Sequence, residues 1–387
     1  MKTNPNYTIC NFDGTSYLLP FGQAIADHQR GMQLSESGIF LWNNLPDVQN
    51  KEELLNRFLA HYEAAPEDVP VLTQDLNHFI FLLTSLGIIP KDWKESPFTD
   101  FSSLHLQIGT VHLCLRGNEK AFPKEFLPFK TDSSSTVDLT VELRTGHPPI
   151  SDNGTVLIQN EQLRIWEYAD YYRLLFPEAK QLNEAYLSKE GTFSCIYYIP
   201  ANDEELLYEL FHAIRLLYLY IARMKGCYAL HSASLLYHDK AWLFAGHSGM
   251  GKSTHTRLWN TLFDTPLLNG DLNLLAFLDG KPVIYGIPWC GTSGIADSKT
   301  YPLGGIILLS QAEQDECVEL SANQQTLLIM QRLISPAWTA SMLEENLAFT
   351  NKLSKQIHVC RLKCTKNPSA AHTMKQWIDE HPAVYNR

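Results

Sequence analysis

No part of this 387-residue chain stays apolar for long. The most apolar helical stretch, residues 206–224, is interrupted by His212, Arg215 and Arg223, well short of the roughly 20 clean residues that a membrane span needs. Residues 1–14 are polar, with no apolar core, and are not read as a signal peptide. Positive charge is also scarce. Lys and Arg number 31 against 42 Asp and Glu, a formal net charge of −11, which argues against a general nucleic-acid or anionic-membrane binder because phosphate backbones reward clustered cations. A local basic pocket stays open. Zinc spacing is missing too: the cysteines at 10, 114, 195, 227, 290, 317, 360 and 364 form no Cys-x-x-Cys pair, and Cys360 and Cys364 fall on or just past an expected strand at 357–362. Scattered reduced thiols fit a soluble cytoplasmic chain. No repeat at fixed period and no low-complexity tract occurs, and residues 133–135 read as a serine loop.

What is present is ordinary globular material, 45% hydrophobic and 19% charged, with length for two or three domains at roughly 150 residues each. The expected class is α+β. In residues 1–95, Asp13-Gly14 between two short apolar runs predicts a hairpin. Three amphipathic helices follow, one opening at Leu34-Ser35-Glu36-Ser37, one near Asn50 with Glu52 and Glu53 in its first turn, and one after Pro66 that Gly87 stops. Residues 96–202 alternate with period 2 and predict a β-rich platform, including a hairpin at Val156 to Gln159 and Leu163 to Trp166. Residues 203–387 carry the one chemical motif.

That motif is Gly246, His247, Ser248, Gly249, Met250, Gly251, Lys252 and Ser253, which satisfies G-x-x-x-x-G-K-[ST] between an apolar strand at 241–245 and a helix expected at 252–263. Glycines let backbone N–H groups turn onto phosphates, and a helix N-terminus adds its positive end. Gly246, Ser248, Gly249, Met250, Gly251, Lys252, Ser253 and Thr254 are the expected nucleotide-binding residues; Lys252 bridges the β and γ phosphates of ATP, and Ser253 ligates Mg²⁺. The neighbours separate this loop from doubly wound nucleotide-binding sheets. Only His238-Asp239-Lys240 joins the strand at 228–237 to the next, and Asp279-Gly280 marks another hairpin, so the sheet is expected to be largely antiparallel.

Two resemblances follow from these residues. The segments Leu34 to Trp42, Lys51-Glu52-Glu53-Leu54 and Leu82 to Ile89 resemble the winged-helix-like PqqD peptide-recognition domain, over about a quarter of the chain; the resemblance implies leader-peptide capture by β-augmentation. The alternative for the same pattern is a winged-helix-like module for dimerisation or regulation. His231 on the strand before the loop, the loop with its extra Gly249, and Asp271 after Pro266-Leu267-Leu268-Asn269 resemble the HPr serine kinase and phosphoenolpyruvate carboxykinase group. That resemblance implies an ATP- and Mg²⁺-dependent kinase acting on a Ser or Thr hydroxyl of a peptide or protein, here a ribosomal precursor peptide, and leans towards a homo-oligomer. It departs at Gly270-Asp271, where the kinases usually carry two adjacent aspartates.

The expected catalytic set is therefore Lys252, Asp271 and His231, with Ser253 and Asp271 as metal ligands. Asp271 reads as a Walker-B-like acid, the alternative being a plain turn aspartate. His231 reads as the group that orients or deprotonates the acceptor, the alternative being a buried strand histidine. Trp289, Cys290, Gly291, Thr292 and Ser293 form a candidate acceptor loop in which Trp289 stacks on acceptor or base, or else a surface turn with a packed tryptophan. Cys290 is not read as a nucleophile, since phosphoryl transfer to a hydroxyl needs positioning and charge neutralisation. Arg257 and Arg332 are candidate phosphate clamps or helix-surface residues, and His247 and His255 are expected to be exposed. Competing functions are a nucleotide-sensing scaffold without turnover, suggested by the missing aspartate, and a metabolic carboxykinase, for which no dicarboxylate clamp or second-metal motif is found.

Overall fold

The computed structural model describes residues 6–26, 30–48, 51–86, 88–89, 102–132, 136–146, 154–201 and 204–381. Gly87, the expected helix stop, and residues 133–135 lie outside them. Helix and strand are both plentiful, as the α+β reading expected. The chain divides into two compact units that are not contiguous in sequence: Met1–Asp100, Leu143–Tyr186 and Cys195–Glu209 form one, and Phe101–Glu142, Leu187–Ser194 and Leu210–Arg387 the other.

In the first unit, β1 (Tyr7–Phe12) and β2 (Thr15–Pro20) pair antiparallel around Asp13 and Gly14, both at positive φ as a two-residue turn requires. A short helix α1 (Gln23–Ala26) leads to β3 (Met32–Leu34), a third strand on β2 that its three residues left invisible to periodicity. Ser35 then caps α2 (Glu36–Asn44), its hydroxyl accepting from Gly38 N at 3.1 Å. Helices α3 (Lys51–His61) and α4 (Val69–Ser85) close the core around Leu18, Leu41, Leu54, Phe58, Leu76 and Ile80.

Strands β4 (Ser102–Ile108) and β5 (Val111–Gly117) form an antiparallel hairpin in the second unit, and β6 (Leu139–Thr145) runs parallel to β5. In the first unit β7 (Thr155–Gln159), β8 (Arg164–Glu167) and β9 (Tyr171–Leu175) make an antiparallel meander, the predicted hairpin plus one strand. Strands β10 (Leu182–Ser188) and β11 (Phe193–Tyr198) and helix α5 (Glu204–Met224) follow.

The rest of the second unit positions the site. Strands β12 (Tyr228–Tyr237), β13 (Lys240–Ala245), β14 (Leu267–Asn269), β15 (Leu272–Leu278) and β16 (Lys281–Tyr285) pair antiparallel wherever they meet, as the three-residue connection and the Asp279-Gly280 turn predict. The long β17 (Thr300–Gln311) closes the circuit: residues 300–302 pair antiparallel with β16, and Leu303 onward runs parallel to β13. Beyond it, β19 (His358–Cys364) is parallel to β17 and carries the short antiparallel edge strand β18 (Glu316–Glu319).

Alternation on β13 splits the core into two. Ala241, Leu243 and Ala245 pack in the cluster that includes Ile329, Phe349 and Leu353 of α7 (Ala322–Met330) and α8 (Ala340–Ser354). Trp242 and Phe244 pack in the other, with Trp259 of α6 (Lys252–Phe263) and Ala370, Ala371 and Met374 of α9 (Pro368–Glu380). Among the described residues no helix is long and apolar enough to cross a membrane.

Candidate functional site

The glycine-rich loop leaves the end of β13 and opens α6 at Lys252, the strand–loop–helix setting the motif needs. Gly249 (φ 79°) and Gly251 (φ 95°) hold left-handed backbone that a side chain would strain. Gly251 stands at the N-cap with no side chain bonded to the first turn, so that turn presents backbone N–H groups and the positive end of the helix. Ser253 and Thr254 are exposed on it, as are His247, Ser248 and Gly249 in the loop. Lys252 is buried, and its Nζ donates to Gly246 O at 3.2 Å, across the base of the loop.

Asp271 is fixed by the strand break between β14 and β15. The side chain of buried Asn269 accepts from Asp271 N and Leu272 N, both at 3.0 Å, and donates to Ile287 O at 3.2 Å, which turns the chain after β14. Ser232 N donates to Asp271 O at 3.0 Å, and the β12–β15 register sets His231 opposite Leu272. His231 Nε2 and Asp271 Oδ1 consequently lie 3.2 Å apart, both side chains about one-third exposed (34% and 36%). Behind them Asn273 is fully engaged: its Nδ2 donates to Ser232 O at 2.6 Å and Ser232 Oγ at 3.0 Å, and its Oδ1 accepts from Ser234 at 2.7 Å. This satisfied buried network braces β12, which carries His231, against β15, which begins directly after Asp271.

The charges at the site are mutually dependent. The His231 hydrogen bond holds the Asp271 carboxyl below its ordinary range despite partial burial, and the charges of His231, Arg215 and Lys252 act in the same direction. Burial draws Lys252 below its ordinary value, Asp271 opposing and Arg332 reinforcing the effect. Burial pushes His212 down to about 4, Arg215 adding to the shift and Asp271 opposing it. The fields of Arg215 and Lys252 thus act on one carboxylate, and that of Arg332 on Lys252.

The segment after β16 covers this pair. A Cβ on Gly270 would collide with Ser293 Oγ and Cβ and lie 3.1 Å from Cys290 O, and one on Gly291 would lie 2.8 Å from Asp271 Cβ. The turn is locked by Ser293 Oγ donating to Cys290 O at 2.7 Å. The space beside Gly270 is therefore filled by the backbone turn and Ser293. Trp289 does not reach a ligand as an acceptor-stacking group. It is 1% exposed, its Nε1 donates to Phe211 O at 3.0 Å, and its ring lies 4.9 Å from Tyr218 and 5.9 Å from Phe126. The packed-tryptophan alternative holds, and Trp289 anchors the turn. Gly291 and Thr292 are exposed, Ser293 half-buried; burial pushes the Cys290 thiol up, which disfavours it as a nucleophile.

His212 and Arg215, three residues apart on α5, are the residues that sequence reasoning missed; they were treated only as interruptions of an apolar stretch, although i, i+3 spacing puts them on one helix face. Arg332 lies close enough to act on Lys252, and its carbonyl accepts from His231 N at 2.9 Å, whereas Arg257 is exposed on α6 and belongs to no charge cluster at the site. His255, expected to be exposed, is 2% exposed, its ring parallel to that of Phe244, because it lies on the inner face of α6. No protein-family model and no curated protein sequence matches this chain.

Proposed function

We propose that this protein is an ATP- and Mg²⁺-dependent phosphotransferase that moves a γ-phosphoryl group to a hydroxyl, with a peptide as the carrier of that hydroxyl. The observation that carries the reading is the His231–Asp271 pair, 3.2 Å apart and within the electrostatic reach of the loop lysine. A carboxylate can only accept, so at neutral imidazole the His231 Nε2 bears the proton given to Asp271 and Nδ1 keeps its lone pair. Nδ1 is then the atom that takes the proton of an acceptor hydroxyl, and Asp271 holds the tautomer and stabilises the imidazolium that results. The open N–H groups of the first turn of α6 and Lys252 bind the phosphates, and Arg215 adds positive charge where negative charge accumulates.

The donor set suits a magnesium ion. Asp271 stays ionised and partly exposed and Ser253 is an exposed hydroxyl on the first helical turn, both hard oxygen donors. Among the described residues no group of three His, Cys, Asp or Glu forms a metal cage, which fits an ion held by one or two protein oxygens and the nucleotide. Bound Mg²⁺ would be held by Ser253 and Asp271 and would neutralise charge on the β and γ phosphates.

Peptide delivery is supported by the three-stranded sheet of the first unit, whose outer strands β1 and β3 each pair, among the described residues, with β2 alone, leaving strand edges of the kind used in β-augmentation. The resemblance to PqqD-type domains suggests a ribosomal precursor peptide, and the resemblance to HPr kinases a homo-oligomer. Incubation with ATP, Mg²⁺ and a candidate precursor peptide should add about 80 Da to the peptide, the mass of one phosphoryl group. ADP formation should disappear in Lys252→Ala. A second reading, a nucleotide sensor without turnover, is favoured by the closed space at Gly270. It expects nucleotide binding that survives Asp271→Ala and no ADP from the unmodified protein.

A further inference from the structure

Eight cysteines are free, yet two of them are neighbours. On β18 and β19, Cys317 pairs with Leu362 and Glu319 with Cys360, so Cys317 and Cys360 lie diagonally on one face of adjacent strands. Both thiols touch the same atom of α9, with Met374 Sδ 3.8 Å from Cys317 Sγ and 3.9 Å from Cys360 Sγ. Cys364, the other diagonal neighbour, turns away: its thiol donates to Ser310 O at 3.6 Å.

We propose that Cys317 and Cys360 form a reversible peroxide-sensitive disulfide between the edge strand β18 and β19. The division of labour follows from burial. Cys317, half-buried on the edge strand, can be reached by a small oxidant, whereas Cys360 is fully buried. Cys317 is therefore the attacking thiolate and Cys360 the resolving thiol. The Cys317 thiolate displaces hydroxide from hydrogen peroxide to give a sulfenic acid. The Cys360 sulfur then attacks that sulfur, its proton leaving with the departing oxygen as water. Overall two thiols lose two electrons and two protons, and one peroxide becomes two waters.

The test is peroxide treatment of the full chain, denaturation with an alkylating agent, and non-reducing peptide mapping. A Cys317–Cys360 linked peptide, with two of the eight thiols escaping alkylation until dithiothreitol is added, is the expected result. Cys317→Ser, a conservative change at a half-buried edge position, should abolish the link while leaving the exposed Cys10 as reactive as before. Full alkylation of both cysteines, a link from Cys317 to Cys364 or to a second chain, or a sulfinic acid stalled at Cys317 would overturn the proposal. The readout is independent of any phosphoryl transfer.

Discussion

At the scale of single residues, Gly270 and His212 carry the sharpest expectations. An aspartate at Gly270 has no room, because its first side-chain carbon would meet Ser293. Gly270→Asp and Gly270→Ala are expected to lower stability by about 1–3 kcal/mol, the usual range for overpacking, measured by denaturant unfolding. Adding Ser293→Gly should recover part of that loss; no recovery would place the strain elsewhere. His212 sets a pH dependence whose sign is fixed by its shift from 6.5 down to about 4. Between those values the unfolded chain binds the proton that the folded chain refuses, so stability is lost as pH falls through the window and regained above it. His212→Asn should flatten that part of a melting-temperature profile. A slope unchanged by the substitution would assign the dependence to another group. Lys252 and Asp271 were legible from the sequence because the glycine-rich loop and the acid after an apolar strand are local patterns. Arg215 and His212 were not, since nothing in their own segment says what faces them.

At the scale of elements, local chemistry set most boundaries. The helix at 252–263 begins and ends where the motif and the following turn predict, with Asp264 in left-handed conformation at its C-cap. Helix α7 starts on a reciprocal cap in which Ser321 Oγ accepts from Gln324 N and the Gln324 side chain accepts from Ser321 N. Ser321→Ala should cost about 1 kcal/mol in unfolding free energy. The β12–β15 ladder depends on a different kind of bond. Asn273→Leu leaves the Ser232 and Ser234 hydroxyls without their shared partner, at about 1–3 kcal/mol for unsatisfied buried groups. If the proposed chemistry uses His231 and Asp271, that variant should also lose turnover beyond its stability loss, because the brace beneath the pair is gone. Turnover that tracks the folded fraction alone would show that the network serves stability only.

At the scale of the whole molecule, the notable fact is how far apart in sequence the parts of each unit lie. The unit that holds the glycine-rich loop includes Phe101–Glu142 as well as Leu210–Arg387, and Trp289 buries itself against Phe126 while Tyr218 donates to Ile108 O at 3.0 Å. A fragment cut at residue 203, where the β-rich region was expected to end, is therefore predicted to expose Trp289 and to lack a cooperative thermal transition, as seen in tryptophan emission and near-ultraviolet circular dichroism. A fragment with native-like Trp289 burial would disprove that dependence. The sequence by itself determined the secondary structure around the loop, the antiparallel hairpins and the glycine-rich turn, because each rests on contacts within a few residues. Only the tertiary structure decided that Trp289 is an anchor, that Ser293 fills the space beside Gly270, that Arg215 acts on Asp271, and that Asp271 acts on His212. Those relations join segments far apart in sequence, and a side chain's environment depends on what the fold brings against it.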